Sequence, residues 1–273
     1  MNVKHGQFNY IVKVIEAGMN VLLTGVAGTG KTTVIKQAAE HLGLQFSSYS
    51  MTKQTSVNAL LGFKSINGTY IPSEFRKAYE EGHIFLLDEL DAADANVLLC
   101  LNTLENGYIS FPDGIIHGHE NFRLCATANP QDSHSIYTGR SKLDFSTLDR
   151  FYAIELERDS NLELLLTSQQ TVDVIEAARS ILKSQGSSIQ VTMRDAIRVQ
   201  KLYELGLDES PIEKVVFNTD KNLRNTFRQK YKEIQEANEQ VRKEEERRAR
   251  EAAKTQIDAE IFDRFWEKIA KGK

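Results

Sequence analysis

A chain of 273 residues with 41% hydrophobic and 26% charged content can bury a sizeable core, and its length suits one larger domain with a smaller companion. Its formal net charge of −4 gives no global electrostatic reason for nucleic acid or an anionic membrane as the main partner. Two cysteines, Cys100 and Cys125, lie in apolar stretches as buried reduced thiols do, which argues against a disulfide or metal framework.

The first expected element is a helix carrying Phe8, Ile11, Val12 and Ile15 on one face. Lys13 and Glu16 interrupt it, so it lacks the continuous apolar segment of a signal peptide. No run approaches the roughly 20 apolar residues that span a bilayer, and the expectation is a cytoplasmic protein with no membrane partner.

Next, Val21 to Thr24 reads as a short buried strand. Gly25, Val26, Ala27, Gly28, Thr29, Gly30, Lys31 and Thr32 then fill every fixed position of the G-x-x-x-x-G-K-[ST] phosphate loop, with Thr33 following. Lys31 to His41 reads as a helix with Val34, Ile35 and Ala38 on its apolar side. Strand, loop and helix come in the order that phosphate binding needs. Backbone N–H groups and the positive helix end surround the phosphates, Lys31 reaches the β- and γ-phosphates, and Thr32 ligates magnesium. ATP and Mg2+ are the cofactors this motif calls for.

Further strands are expected at Phe46 to Tyr49, Ile84 to Leu87, Leu124 to Ala128 and Ala153 to Leu156, alternating with helical patterns. That alternation predicts an α/β fold of the P-loop NTPase kind, a parallel sheet between two helical layers. Two hairpins interrupt it. Asn67-Gly68 turns the first, between Lys64–Ile66 and Thr69–Ile71; Pro112-Asp113-Gly114 turns the second, between Tyr108–Phe111 and Ile115–His117. His117 and His119 lack a Cys or third ligand nearby and read as loop residues.

After Glu157 the pattern is wholly helical: Asn161 to Gln170, Val172 to Ser184, Met193 to Leu205 and Pro211 to Val216. From about Lys221 the composition becomes dense in Glu, Arg, Lys and Gln, as in a long solvated helix, until Ile261, Phe262, Phe265, Trp266 and Ile269 restore an apolar stripe. The expected division is therefore a nucleotide-binding core over 1–157, a small helical lid over 158–218 and a charged helical tail over 219–273.

Ile84-Phe85-Leu86-Leu87-Asp88-Glu89 is an apolar strand ending in two carboxylates, about 55 residues beyond the loop. Carboxyl ends of parallel strands face the ligand. There Asp88 can hold the magnesium hydration shell and Glu89 can polarise a water toward the γ-phosphate.

With these motifs in place, residues 20 to 205 resemble the AAA+ ATPases, in the branch of MoxR-type proteins and the cobaltochelatase small subunit. The resemblance also rests on Leu124-Cys125-Ala126-Thr127-Ala128-Asn129-Pro130, on Tyr137-x-Gly139 followed by Leu148-Asp149-Arg150-Phe151, on Met193-Arg194 opening a helix, and on the positions of both hairpins. It implies that Asn129 is the polar sensor of the attacking water or γ-phosphate. Arg150 is similar to the arginine finger given to a neighbouring subunit, and Arg194 to the sensor arginine of the lid. Arg140 lies in the same boundary strip.

A finger supplied in trans implies a homo-oligomer, a hexameric ring in this family, whose hydrolysis remodels a protein client or adaptor. Phe63, Lys64 or Tyr70 on the first hairpin could line its channel. Two other readings stand beside this one. A DNA-directed motor or loader is poorly matched by Gly107 to Glu120, which has no Lys or Arg. An ATP-dependent assembly scaffold would need none of Asp88, Glu89 and Asn129.

Overall fold

A computed structural model describes residues 3–129, 143–187, 189–207, 210–218, 220–237, 239–240, 243–244 and 247–248. Arg140, Tyr137, Gly139 and the stripe from Ile261 to Ile269 lie outside the described residues. Their described parts group into two compact units, one from 1–169 and 192–200, the other from 170–191 and 201–248.

The first unit is built on five parallel strands: β1 (Val21–Thr24), β2 (Phe46–Ser50), β5 (Ile84–Asp88), β8 (Arg123–Ala128) and β9 (Tyr152–Glu155). They lie in the order β2-β5-β8-β1-β9. Each matches an expected strand to within a residue or two. Val21, Leu23, Ile84, Leu86 and Cys125 point to one face, where they meet α1 (Phe8–Glu16) and α2 (Lys31–Leu42). Leu22, Phe85, Leu87, Leu124 and Ala126 point to the other, against α3 (Val57–Leu61), α4 (Glu74–Glu81) and α5 (Ala95–Leu98). Strands covered on both faces need apolar residues at every position, which is why they read as runs instead of alternations.

Both hairpins form as antiparallel pairs. The first joins β3 (Phe63–Lys64) to β4 (Tyr70–Ile71), with Gly68 at φ 77° in its turn. The second joins β6 (Tyr108–Phe111) to β7 (Gly114–His117), and Gly114 pairs with Phe111 instead of sitting in the turn. Arg76 of α4 ties the two together. Its guanidinium stacks 4.4 Å from the Phe111 ring centroid and 5.4 Å from that of Tyr70, and it bonds Asp113 and Glu80, each at 2.9 Å. A buried cation between two rings and two carboxylates makes the hairpin bases a single packed block.

That block decides which hairpin residues are available. Tyr70 turns inward and its hydroxyl donates to Leu61 O at 2.7 Å, so it is a structural residue of the hairpin. Phe63, Lys64, Ile66 and Ile115 remain exposed. Cys125 is fully enclosed and Cys100 half-buried; burial pushes their thiols up to about 12 and about 11, so both stay protonated at neutral pH.

In the second unit α8 (Gln169–Ser184) buries Val174, Ile175, Ala178, Ile181 and Leu182, and α10 (Pro211–Val215) buries Ile212. The helical stretch 221–237 is anchored, not free. Phe227 stacks on Phe217 with ring centroids 4.8 Å apart, and Arg228 holds the Glu213 carboxylate with two donors, Nε to Oε1 at 2.7 Å and Nη2 to Oε2 at 2.5 Å. The first turns of the charged segment thus carry an apolar anchor that composition alone concealed. Among the described residues no helix is long and apolar enough to cross a membrane.

Candidate functional site

The loop between β1 and α2 takes its shape from three glycines. Gly25, Gly28 and Gly30 have φ of 145°, 81° and 91°, a region closed to most side chains. A Cβ would also strike Leu156 O at 2.5 Å from position 25, and Thr192 Cβ at 2.7 Å from position 28. Gly30 is the N-cap of α2, so the loop runs straight into a helix whose first N–H groups need an acceptor.

Lys31 opens that helix and folds back over the loop. Its three ammonium protons go to Gly25 O at 2.7 Å, Val26 O at 3.1 Å and Asn129 Oδ1 at 3.4 Å. Its pKa is lowered to about 8: burial is the main cause and Arg194 acts the same way, outweighing the upward pull of Asp88, Asp91 and Glu89. The contact from Lys31, which can only donate, also fixes the Asn129 amide. Its oxygen faces the lysine and its NH2 end turns away.

Asp88 ends β5 on the face of the sheet that α2 covers, two residues on from Leu86. Thr32 Oγ1 donates to its two carboxylate oxygens at 3.1 and 3.3 Å. From β8, Thr127 Oγ1 donates to Asp88 Oδ1. Glu89 follows with φ 59°, making it the positive-φ residue other than glycine among the described residues. Its left-handed backbone ends the strand and redirects the side chain. Its N–H donates to Thr127 Oγ1 at 2.9 Å.

These groups converge on one cavity of about 460 Å³. Ala27, Gly28, Thr29, Gly30, Lys31, Thr32, Thr33, Asp88, Glu89, Asn129 and Arg194 all line it. Gly25 and Val26 do not, and take part through the carbonyls that hold Lys31. Arg150 stands apart: it follows the one-turn helix α6 (Phe145–Leu148), its Nη1 donates to Ser146 O at 2.5 Å, and it is not among the residues of the cavity wall.

Sequence reasoning missed part of the wall. Val3, Leu162, Leu166, Met193 and Ile197 add apolar side chains to the cavity wall. His5 is fixed beside them: Gln7 N donates to its Nδ1 at 3.1 Å, so Nε2 carries the proton given to Glu157 O at 3.0 Å. The leucines, Met193 and Ile197 follow ordinary helix periodicity, Val3 and His5 precede the first helix, and nothing local separates any of them from core positions. Thr127 did leave a signal, being a hydroxyl in the buried run Leu124–Ala128, where a polar group needs a partner.

A cavity lined by a glycine loop, a lysine and several apolar side chains suits a nucleotide, whose phosphates are met by the loop and whose base is apolar on its faces. Residues 20–151 match the family model of the AAA domain, dynein-related subfamily. Midasin of Giardia intestinalis is 27% identical over 217 residues, 69% of this chain, and von Willebrand factor A domain-containing protein 8 of Mus musculus is 29% identical over 138 residues, 44% of it. The chain spans only 4% and 7% of the lengths of those two relatives. Among solved structures, that of NtrX from Brucella abortus in complex with ADP aligns with a TM-score of 0.48 at 14% identity, over 72% of this chain and 48% of that one. The phosphate loop and the strand ending in Asp88-Glu89 both lie in the matched stretch and in the parallel sheet, which marks residues 20–151 as an AAA domain of the dynein-related subfamily.

Proposed function

We propose that this chain binds ATP with magnesium, hydrolyses it, and does so in a ring of like subunits that remodels a protein partner. One observation carries the reading: Lys31, Thr32, Asp88, Glu89 and Asn129, drawn from three separate stretches of sequence, line a single cavity. A purely structural glycine turn would need none of the last three.

The donor set suits the proposed cation. The Thr32 hydroxyl and the Asp88 carboxylate stand 3.1 Å apart, hard oxygens of the kind a small divalent ion takes beside its own waters and the phosphates. When bound, such an ion neutralises charge on the phosphate oxygens. Thr32 and Asp88 would hold it. Lys31 would bring a positive charge to the outer phosphates, and the amide of Asn129 would orient the attacking water. Glu89 would take that water's proton as its oxygen bonds to the γ-phosphorus and the bond from that phosphorus to the β–γ bridging oxygen breaks, with ADP as the leaving group.

The depressed Lys31 pKa has a consequence for binding. In the free protein the ammonium titrates near 8, whereas bound phosphates favour the charged form and raise that value. Affinity should therefore stay constant below pH 8 and fall above it by up to about tenfold per pH unit. Titration of a fluorescent ATP analogue between pH 7 and 9.5 checks this; Lys31→Arg, which stays charged, should flatten the curve. A constant affinity for the unaltered chain across that range would contradict the assignment.

Ring assembly is supported by the position of Arg150 outside the wall of its own cavity. Phe145, 82% exposed five residues before it, gives the same surface an apolar contact. The exposed hairpin residues Phe63, Lys64, Ile66 and Ile115 are the proposed client-facing surface. The mouse relative's name includes a von Willebrand factor A domain, in keeping with an adhesion-type companion of the MoxR kind. Turnover per subunit measured against protein concentration tests the ring: it should rise and then level, and a flat profile with full activity at nanomolar protein would refute assembly. Capture with a Glu89→Gln form in ATP then discriminates the partners, a protein supporting remodelling and nuclease-sensitive material the DNA-directed alternative.

A further inference from the structure

Asp88 and Glu89 belong to one strand end, yet they must act on different objects, one on a cation and the other on a water. A strand continued through position 89 would send the Glu89 side chain to the opposite face from Asp88. Instead position 89 is left-handed, a conformation that costs a glutamate of the order of a kcal/mol or more unless its surroundings hold it. Three contacts hold it: Met51 N donates to Asp88 O and Ala92 N donates to Glu89 O, each at 2.8 Å, while Glu89 N donates to the side chain of Thr127. β5 and β8 run parallel with Leu87 in register with Ala126, which sets Thr127 beside the Asp88-Glu89 peptide.

Thr127 is 1% exposed, and its hydroxyl both donates and accepts. It has a single proton, which goes to Asp88 Oδ1, and it accepts the N–H of Glu89 at 2.9 Å. The direction of one bond fixes the other: because the proton is given to the carboxylate, the lone pairs face the amide. Thr32 reaches the same carboxylate from α2. Asp88 thus sits between two hydroxyls, and only one of them also touches the Glu89 backbone.

We propose that Thr127 is a positioning residue for hydrolysis, its hydroxyl locking the cation-binding carboxylate and the left-handed backbone of the base into one arrangement. The proposal rests on the ATPase reading above and adds to it a residue of the cavity wall whose hydroxyl acts through two others, Asp88 and Glu89. Outer partners that orient a carboxylate in this way typically change metal affinity or activity by about 10- to 100-fold when removed.

The test uses Thr127→Val, which keeps the branched shape and removes the hydroxyl, beside Thr127→Ser, which restores it. Single-turnover hydrolysis should slow by about 10- to 100-fold in the valine form, and the magnesium concentration giving half-maximal binding of a fluorescent ATP analogue should rise by about 10-fold. Nucleotide binding without magnesium should change less than about threefold, since neither contact reaches the loop. The serine form should recover both properties. If circular dichroism shows that the valine form does not fold, Thr127→Ala removes the hydroxyl without added bulk. A hydroxyl-free form with unaltered rate and magnesium midpoint overturns the proposal, as does a folded serine form no better than valine. Absence of turnover in the unaltered chain would sink the ATPase reading alone, because the magnesium titration still judges Thr127.

Discussion

Arg150→Ala is expected to lower ATP turnover about a thousandfold while leaving nucleotide binding by each subunit nearly unchanged. The reason is positional. Asp144 caps α6 by accepting from Thr147 N at 2.6 Å, and that one-turn helix delivers Arg150 to a place outside the wall of its own cavity. The guanidinium is half committed, with Nη1 on Ser146 O and a buried Nε lacking a hydrogen-bond partner among the described residues. An unpaired buried N–H is costly and calls for an explanation. A γ-phosphate offered by an adjacent subunit supplies one, since the developing charge there needs a rigid cation. Single-turnover hydrolysis together with a binding titration separates this from loss of affinity. Turnover within a few fold of the unaltered chain would remove Arg150 from the mechanism.

Glu89→Gln should abolish most turnover, by about 10²- to 10⁴-fold, and preserve binding. The change is isosteric and leaves the backbone N–H that Thr127 accepts, so the left-handed residue keeps its support. What disappears is the ability to take a proton. Loss of nucleotide binding instead of hydrolysis would contradict the assignment.

The two variants together give a sharper result than either alone. If finger and base come from different subunits, a mixture of Arg150→Ala with Glu89→Gln contains sites that combine an intact Glu89 with a neighbour's intact Arg150. Random equal mixing gives roughly one such site in four, and turnover should reappear in that proportion. If both residues served the same subunit, mixing would restore nothing.

Much of this site was legible because the motif and the strand pattern are local. Gly25, Gly28 and Gly30 declare a backbone that only glycine tolerates, and the apolar run Ile84–Leu87 declares a buried strand whose polar end must emerge at the sheet edge. Asn67-Gly68 located the first hairpin for a similar reason. Less legible was Tyr70. An aromatic on an insertion is equally suited to a channel or to a hairpin base, and its inward turn depends on Arg76 and Leu61, which its own neighbours do not specify. The anchoring of Phe227 on Phe217 was hidden by the charged residues around it.

The sequence by itself determined that this protein has a phosphate loop, a parallel sheet to carry it and two carboxylates at a strand end, because each follows from short-range geometry and hydrophobic periodicity. The tertiary structure alone decided which groups share the cavity. It set Thr127 against both Asp88 and Glu89 across a strand pairing 38 or more residues apart in the chain, and it brought Val3, Leu162, Met193 and Ile197 to the same cavity. Those relations depend on sheet register and on helix packing. Neither is written at any single position, since each becomes fixed only when distant apolar faces are buried against one another.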